Sequence, residues 1–457
     1  MPISNTNIGV MGVEALLRDR RRLHFVGVCG VQMSALATLA LSRGFTVTGS
    51  DARGGACAQN LRARGVRVCV GTDTSLVASA DALVYTLAID ETHPEYTAAL
   101  SLGLPVLSRA DLLAYFTSRY ACRVAVAGSH GKSSVTAMLA NTLSPLDPTV
   151  IAGAVIGKDG ALHEGHGALS LCEACEYRDS YLSLSPTIGT LLSFDLDHTD
   201  YFENEEALAR SFEAFASHCE RLVVNGEDAT LKKIAENHPR SYTFGITSGD
   251  AHARDLTFDK GFATFTLLLF GECAGRVALR VPGLHNVQNA LAAALVSRLC
   301  GVADDEICHA LSDYQGIARR LASRGHCRGA RIVDDYAHHP REIAASIAAI
   351  RESTQTGRLI AVFEPHTYSR TKAFEREIAA ALSEADAVFI ADVYPAREKD
   401  TLGVSTAQLA ALVGAHARAS GDLLATARTL KAELSPDDVV LVMSAGCIEP
   451  FFDTLFS

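Results

Sequence analysis

Short apolar runs alternate with helical stretches along almost the whole chain, and this alternation is what most restricts its fold. The run LHFVGVCG (23–30) is followed by the helical VQMSALATLALSRG and by the strand-like FTVTGSD (45–51). The same order returns from RVAVAG (123–128) and from ARIVDDYA (330–337). Repeated strand–helix–strand units build parallel sheets covered by helices. Shorter alternating runs between residues 242 and 282 predict an antiparallel edge on the middle sheet.

The chain has 457 residues, which is too long for one hydrophobic core. Chains beyond about 250–300 residues usually divide into several domains. The strand–helix pattern restarts near residue 120 and again near residue 320. We therefore predict an α/β fold of three consecutive domains, at residues 1–119, 120–318 and 319–457. We expect a Rossmann-like N-terminal domain, a central domain like that of P-loop ATPases, and a Rossmann-like C-terminal domain.

Composition limits the possible partners. The chain has 52 acidic and 41 basic residues, a formal net charge of −11, which argues against nucleic acid or an anionic membrane. No apolar run reaches the roughly 18 residues that span a bilayer, and the N-terminus lacks a signal-peptide pattern, so we expect a cytoplasmic protein. Twelve cysteines include one C-x-x-C pair, Cys172 and Cys175, and without a second pair we interpret them as reduced thiols.

The stretch AVAGSHGKSS has features of a phosphate-binding loop, although it lacks the distant glycine of the common pattern. It follows a strand-like run and precedes the helical SSVTAMLANTL, where backbone N–H groups and a helix N-terminus can hold an anion. Gly128 and Gly131 allow close backbone approach to phosphate. Lys132 could reach the β- and γ-phosphates, and the Ser133 hydroxyl could ligate Mg²⁺. The alternative is an ordinary turn with an exposed lysine.

Acidic residues follow two other strand-like runs of the middle block. Asp195, Asp197 and His198 lie in SFDLDHTDYF, and Glu176 lies in EACEYRDSYL. Ligands of open α/β sheets bind at the carboxyl ends of strands, and carboxylates there could organise a hard cation. For Asp200, we favour a role as the cap of the following helix.

Polar residues also begin the helical GLHNVQNALAA. His285, Asn286 and Asn289 lie on neighbouring turns, and amides that both donate and accept suit the edge of an adenine. Simple helix capping is the alternative.

The first glycine loop, GVCGVQMSA, keeps Gly27 and Gly30 but lacks G-x-G-x-x-G. We therefore exclude a nicotinamide dehydrogenase. Ser50 and Asp51 in TGSD place polar groups at the end of the next strand, where the carboxylate suits a ribose or uracil.

Eight stretches, in order and at suitable separations, resemble the Mur ligase family, the ATP-dependent amide-forming enzymes of peptidoglycan precursor synthesis. They are GSHGKSS, EACEYRDSYL, DLDHTDYF, GLHNVQNALAA, GIARRL, VDDYAHHPREI, FEPHTYSRTKAF and DVYPAREKD. The resemblance covers nearly the whole chain. It implies domains for the UDP part of the substrate, for ATP and for the amino acid. It also implies that ATP phosphorylates the carboxylate of UDP-N-acetylmuramate and that the amine of L-alanine attacks the acyl phosphate.

The resemblance also implies roles for individual residues. It assigns the chemistry to Lys132, Glu176, His198, His338 and Arg370, and the metal to Ser133, Glu176 and His198. It assigns ATP binding to Gly128, Ser129, His130, Gly131, Lys132, Ser133, Ser134, His285, Asn286, Asn289, Arg320 and Tyr336. It assigns substrate binding to Gly27, Gly30, Ser50, Asp51, Arg370 and Arg397. For His339, next to Pro340, we favour a helix N-terminal capping role.

The first loop departs from the family. Cys29, Gln32 and Ala35 occupy places where glycine is common, which bears on the affinity for the UDP-sugar. Two alternatives stay open: a related ligase that reattaches a recycled tripeptide to the same sugar, and a non-catalytic nucleotide-binding relative. In each case we expect small-molecule partners and a monomer or homodimer.

Overall fold

The computed structural model describes residues 3–156, 160–354, 357–396 and 398–457. The chain forms two compact units. The first unit comprises Met1–Phe194, Glu206–Phe244 and Ala292–Ala303, and the second comprises Asp195–Glu205, Gly245–Leu291 and Asp304–Ser457.

The described strands are short and follow the apolar runs of the sequence. They are β1 (Arg22–Val26), β2 (Thr46–Asp51), β3 (Arg67–Val70), β4 (Ala82–Tyr85), β5 (Val106–Ser108), β6 (Cys122–Ala127), β7 (Thr149–Ile151), β8 (Leu162–His163), β9 (Leu169–Glu173), β10 (Ile188–Leu191), β11 (Arg221–Asn225), β12 (Ser241–Phe244), β13 (Ala251–Asp259), β14 (Phe262–Leu269), β15 (Glu272–Pro282), β16 (Ala322–Cys327), β17 (Ala330–Asp335), β18 (Leu359–Glu364), β19 (Ala387–Ala391), β20 (Ala417–Gly421) and β21 (Val439–Ser444).

The α-helices of the described residues lie mostly between successive strands. They are α1 (Val10–Leu17), α2 (Val31–Ser42), α3 (Ala56–Ala63), α4 (Thr74–Ala78), α5 (Pro94–Ser101), α6 (Arg109–Thr117), α7 (Lys132–Thr142), α8 (Glu205–Ser217), α9 (Ala229–Glu236), α10 (Leu284–Leu299), α11 (Asp304–Asp313), α12 (Pro340–Ser353), α13 (Tyr368–Ala373), α14 (Glu375–Leu382), α15 (Thr406–Val413), α16 (Leu423–Glu433) and α17 (Glu449–Phe456).

The first unit contains two sheets. One is fully parallel, in the order β3-β2-β1-β4-β5. The other has the order β8-β7-β9-β6-β10-β11-β12 and is parallel except for β8. All four residues of β4 and of β10 are buried. Parallel strands covered on both faces are buried at every position, which is why the ALVY of β4 is apolar throughout and does not alternate.

The second unit contains the antiparallel strands β13, β14 and β15, and a sheet in the order β16-β17-β21-β18-β19-β20. In this sheet only β16 is antiparallel to its neighbour. Successive residues of β21 pack into two different apolar clusters, Val440 into one and Leu441 into the other. The sheet is therefore buried on both faces.

These observations confirm the predicted α/β class, and they confirm the antiparallel strands between residues 242 and 282. The prediction for Asp200 is wrong, because α8 begins five residues later, at Glu205. The twelve cysteines are free thiols. Within the described ranges, every helix is too short or too polar to cross a bilayer.

Candidate active site

The loop between β6 and α7 in the first unit has a backbone that only glycine adopts easily. Gly131 caps α7 with φ 85°, and Gly128 has φ 132°. A β-carbon at Gly128 would lie 2.8 Å from the backbone nitrogen of Leu192, at the end of β10. The His130 N–H donates to the Ser193 hydroxyl at 2.8 Å. The neighbouring strand end therefore holds the loop, and the loop leads directly into the N-terminus of α7 as the sequence predicts.

Lys132 is held inside this loop. Its Nζ donates to the carbonyl oxygens of Gly128 at 2.5 Å and Ser129 at 3.0 Å, and it lies 2.9 Å from Oε2 of the buried Glu176. Burial acts to lower the pKa of the ammonium group, but the attraction of Glu176 outweighs it and the pKa of Lys132 is raised. The residue is therefore a fixed positive charge at the loop.

Glu173 is a site residue that the sequence analysis missed. It ends β9, and its carboxylate accepts a hydrogen bond from the Ser133 hydroxyl at 3.1 Å and from the Gly153 N–H at 2.6 Å. The parallel register pairs Glu173 with Val126 on β6, which brings this carboxylate beside the loop. The available signal was a glutamate directly after the apolar run LSLC, three residues before the Glu176 that we selected.

The other glycine loop of this unit follows β1. Gly27 has φ 76°, and a β-carbon there would lie 2.5 Å from the Thr86 methyl group. Gly30 is the N-cap residue of α2. Both glycines that the sequence retains are thus at the turn that leads into a helix, as predicted for a ligand-binding loop.

Asp51 and Ser50 have different environments at the end of β2. The Asp51 carboxylate accepts hydrogen bonds from the N–H groups of Cys29 at 2.9 Å and Arg53 at 3.0 Å, so it lies at the first glycine loop. Ser50 is buried, and its hydroxyl donates to the buried Glu95. The Ser50 hydroxyl thus stabilises the end of β2, and its predicted substrate contact stays a prediction.

Gln32 and Ala35, which stand where glycine is common in the family, contact the protein itself. The Gln32 side chain accepts from the Arg109 guanidinium and donates to the Glu173 carbonyl at 3.4 Å. Ala35 is buried in α2. Gln32 therefore links the first glycine loop to the end of β9.

In the second unit, Asp197 and Arg370 form a buried ion pair. Nε and Nη2 of Arg370 donate to Oδ1 of Asp197 at 3.0 and 2.7 Å, and Nη1 lies 2.9 Å from Nδ1 of His366. Burial acts to raise the pKa of Asp197, but electrostatic attraction to its neighbours, among them His198 and Arg370, holds it well below its usual value. Asp197 therefore fixes the orientation of Arg370. The next residue in the sequence, His198, has a backbone φ of 53°, which is uncommon for a residue other than glycine.

His338 lies on the loop after β17 with its imidazole held at one nitrogen. Its Nδ1 donates to the Tyr336 carbonyl at 2.9 Å, and Nδ1 lies 3.3 Å from Oε2 of Glu342. The pKa of His338 is lowered, mainly because the ring is buried. Glu342 acts to raise this pKa, and the positive charge of Arg370 acts to lower it further. A neutral ring with the proton on Nδ1 leaves a lone pair on Nε2.

His339 is the N-cap residue of α12, and its N–H donates to Glu342 at 3.4 Å. His339 therefore occupies the predicted N-cap position, and the hydrogen bond shown there comes from its backbone N–H.

The predicted adenine segment is the first turn of α10. The Asn286 amide donates to the Pro282 carbonyl at 2.8 Å, and the Asn289 amide donates to Asn286 at 3.2 Å. Burial, with a contribution from Arg320, lowers the pKa of His285 to about 4, so the ring is neutral at pH 7.

Arg320 and Tyr336 also come together in the second unit. The guanidinium of Arg320 lies 5.3 Å from the centre of the Tyr336 ring and 3.7 Å from Glu342.

The structure thus groups the predicted residues into two sets, one in each unit. The loop from Gly128 to Ser134 lies with Glu176 in the first unit, and the remaining ATP residues lie with His198, His338 and Arg370 in the second. Arg397 lies outside the described residues. Among the described residues, no three His, Cys, Asp or Glu side chains are arranged to hold a metal ion.

Parallel α/β sheets with a glycine loop at a helix N-terminus define the protein as a phosphate-binding α/β protein. The chain matches models of the Mur ligase family: the catalytic domain over residues 22–121, the middle domain over 126–297 and the glutamate ligase domain over 319–446. It is 37% identical over 448 residues to the UDP-N-acetylmuramate–L-alanine ligase of Caldanaerobacter subterraneus subsp. tengcongensis, with 95% of this chain and 97% of the relative covered. The chain therefore belongs to the Mur ligase family, a family that uses ATP, and the predicted resemblance is confirmed.

Two solved structures show the same fold. The UDP-N-acetylmuramate–alanine ligase of Thermotoga maritima matches with a TM-score of 0.81 and 24% identity, over 95% of this chain and 98% of the other. A murein peptide ligase of Psychrobacter arcticus matches with a TM-score of 0.73 and 22% identity, also over 95% and 98%. These matches confirm the predicted three-part α/β architecture.

Proposed function

We propose that this protein is an ATP-dependent ligase that forms the amide between UDP-N-acetylmuramate and L-alanine through an acyl phosphate, in peptidoglycan precursor synthesis. The observation that carries the proposal is the full-length similarity to a relative of that name, at 37% identity. The buried Lys132–Glu176 pair and the glycine loop of the first unit support it, because phosphoryl transfer depends mainly on positioning and charge stabilisation.

In the proposed reaction, the N–H groups of the loop and the Lys132 ammonium bind the phosphates of ATP. The oxygen donors beside them fit Mg²⁺, which is usually held by one or two carboxylates together with substrate phosphates. Ser133 and Glu173 would hold the ion, and Glu176 offers a further carboxylate. When bound, the ion neutralises charge that develops on the transferred phosphoryl group. His198, which the resemblance assigns to the metal, stays a predicted ligand.

The second unit supplies the groups for amide formation. Arg370, oriented by Asp197, binds the anionic acyl phosphate. Nε2 of the neutral His338 accepts a proton from the alanine ammonium, so that the free amine can attack the acyl carbon. The bond from the acyl carbon to the phosphate oxygen then breaks, and inorganic phosphate leaves. His285, Asn286, Asn289, Arg320 and Tyr336 bind the nucleotide.

The proposal extends to the surroundings of the reaction. We assign residues 1–119 to the UDP part of the substrate, 120–318 to ATP and 319–457 to the amino acid. We further propose that the protein acts in the cytoplasm as a monomer or homodimer.

The test is a product assay with the full-length protein. Purified protein is incubated with UDP-N-acetylmuramate, ATP, Mg²⁺ and a panel of amino acids or the recycled tripeptide, and products are identified by mass. We expect ligation of L-alanine and no product from Lys132→Met, the control for a contaminating ligase. Ligation of the tripeptide alone would identify a recycling enzyme. ATP and UDP-sugar binding without any product would identify a non-catalytic relative, and either result would refute the proposal.

A further inference from the structure

The first unit has a cleft of about 700 Å³ on the side of its sheets opposite to the glycine loops. Arg21 and Ala121, which line it, directly precede β1 and β6, whereas the glycine loops follow these strands. Arg43 and Arg119 lie at the rim, just after the ends of α2 and α6. We call this site the basal cleft. It is separate from the proposed active site, because it lies at the amino ends of the same strands.

The basal cleft concentrates positive charge in an acidic protein. Arg21, Arg43 and Arg119 line it, and none of its lining residues, all of them in the described part of the chain, carries a carboxylate. The nearby Asp147 accepts a hydrogen bond from the N–H of His166, another lining residue, at 2.8 Å. Arg119 pairs with Glu14 at 3.2 Å, with both side chains about half exposed. An anion entering the cleft would therefore meet the charges of Arg21 and Arg43, together with an Arg119 charge that Glu14 shares at the surface.

Aromatic residues hold these arginines in place. The Arg43 guanidinium donates to the Tyr120 hydroxyl at 2.7 Å, and that hydroxyl donates onward to Thr149 at 2.9 Å. The Arg119 guanidinium lies 4.6 Å from the centre of the Tyr115 ring. These contacts leave other N–H groups of each guanidinium available to a ligand. Because the aromatic residues already restrict the arginine side chains, less side-chain entropy is lost when a ligand binds.

An aromatic ring also holds Arg21 in place: its guanidinium carbon lies 5.6 Å from the centre of the Phe45 ring. Its Nη1 donates to the Leu17 and Arg20 carbonyl oxygens, each at 3.1 Å. Phe45 and Phe116 are buried and form an apolar floor beside the charged rim. The cleft thus combines cationic donors with apolar surface.

We propose that the basal cleft is a second binding site, for a small organic phosphate with a ring or other apolar part. A guanidinium group can donate two parallel hydrogen bonds to two oxygens of one phosphate. This geometry favours a phosphate over a ligand with a single neutral acceptor. The volume lies in the range of small-molecule sites, and a concave site with an apolar floor fits a discrete ligand better than a flat membrane surface. This inference does not depend on the proposed ligase reaction.

The test uses phenyl phosphate as the probe and full-length protein saturated with ADP, Mg²⁺ and UDP, so that both glycine loops are occupied. Binding is measured by calorimetry for wild type, for Arg21→Ala/Arg43→Ala and for the charge-matched control Arg64→Ala/Arg67→Ala, whose exposed arginines lie outside the cleft. We expect saturable binding that weakens at least about tenfold in the first variant and less than about twofold in the control. Circular dichroism spectra and thermal unfolding that match those of wild type show that both variants are folded.

The proposal would be overturned if phenyl phosphate did not bind wild type saturably. It would also be overturned if the two double variants weakened phenyl phosphate binding equally. Binding of phosphatidylglycerol vesicles by a protein that does not bind phenyl phosphate would assign the arginines to a membrane surface instead.

Discussion

Replacing Asp197 with asparagine should destabilise the second unit strongly, because it removes the charge that compensates a buried guanidinium. Asp197 accepts two hydrogen bonds from Arg370, and the two side chains are only 8% and 10% exposed. Asparagine keeps the shape and an acceptor oxygen but loses the negative charge. Arg370 then stays buried without a counter-charge, which is the costly way to break an ion pair.

The expected size follows from this burial. Removing one partner of a buried ion pair typically costs about 3–5 kcal/mol, and the retained acceptor places Asp197→Asn near the lower end. Removing both charges costs less, so Asp197→Asn combined with Arg370→Met should be more stable than the sum of the single changes predicts. The exposed pair Lys372–Glu375, at 3.4 Å, is the control, and Glu375→Gln should cost less than about 1 kcal/mol.

The assay must report on one unit, because a chain with two compact units need not unfold in a single step. Native-state hydrogen exchange of β18, which is buried along its whole length, measures the free energy of opening of the second unit. We expect β18 to lose protection by about 3 kcal/mol in Asp197→Asn.

The pH dependence gives an independent check. The folded pKa of Asp197 is depressed, so its contribution to stability is present above its unfolded pKa of about 4 and is lost as the pH falls through the folded value. The cost of Asp197→Asn should therefore fall as the pH is lowered below about 4. Single-variant costs that add within about 0.5 kcal/mol, or a cost that stays the same when the pH falls from about 5 to about 3, would refute the ion-pair argument.

Three further predictions concern Lys132 and Glu173 in the first unit and Asp335 in the second. Lys132→Met should lower the rate of phosphate release about 100-fold or more, because a fixed cationic donor is lost, whereas a change of less than fivefold would contradict this role. Glu173→Gln should raise the Mg²⁺ concentration at half-maximal rate about tenfold, as measured by metal titration, and an unchanged value would remove Glu173 from the site. Burial raises the pKa of Asp335 to about 6, so its contribution to stability is fully present below about pH 4 and is lost as the pH rises through about 6. Urea unfolding of Asp335→Asn should accordingly depend less on pH between 4 and 6 than that of wild type, and parallel curves would refute the assignment.

The order of strands and helices could be predicted because local periodicity determines it. The structure has strand β6 at RVAVAG and helix α7 directly after Gly131. It has strand β1 and the following glycine turn at LHFVGVCG. The fold class and the family followed from such local patterns. Glycine spacing and a lysine at a helix N-terminus are visible in the sequence because the residues concerned are neighbours in the chain.

Contacts between distant segments could not be predicted in this way. The choice between Glu173 and Glu176 as the partner of Ser133 depends on the register of β9 against β6. The structural role of the Ser50 hydroxyl depends on Glu95, which lies 45 residues away.

The sequence by itself therefore determined the class of fold, the family and the position of the phosphate loop, since each depends on residues close together along the chain. Only the tertiary structure decided that Asp197 holds Arg370 across 173 residues, and that arginines after α2 and α6 converge on the basal cleft. The physical reason is that parallel sheets join strand ends that are far apart in sequence, and their pairing register, which no local pattern records, sets which side chains meet.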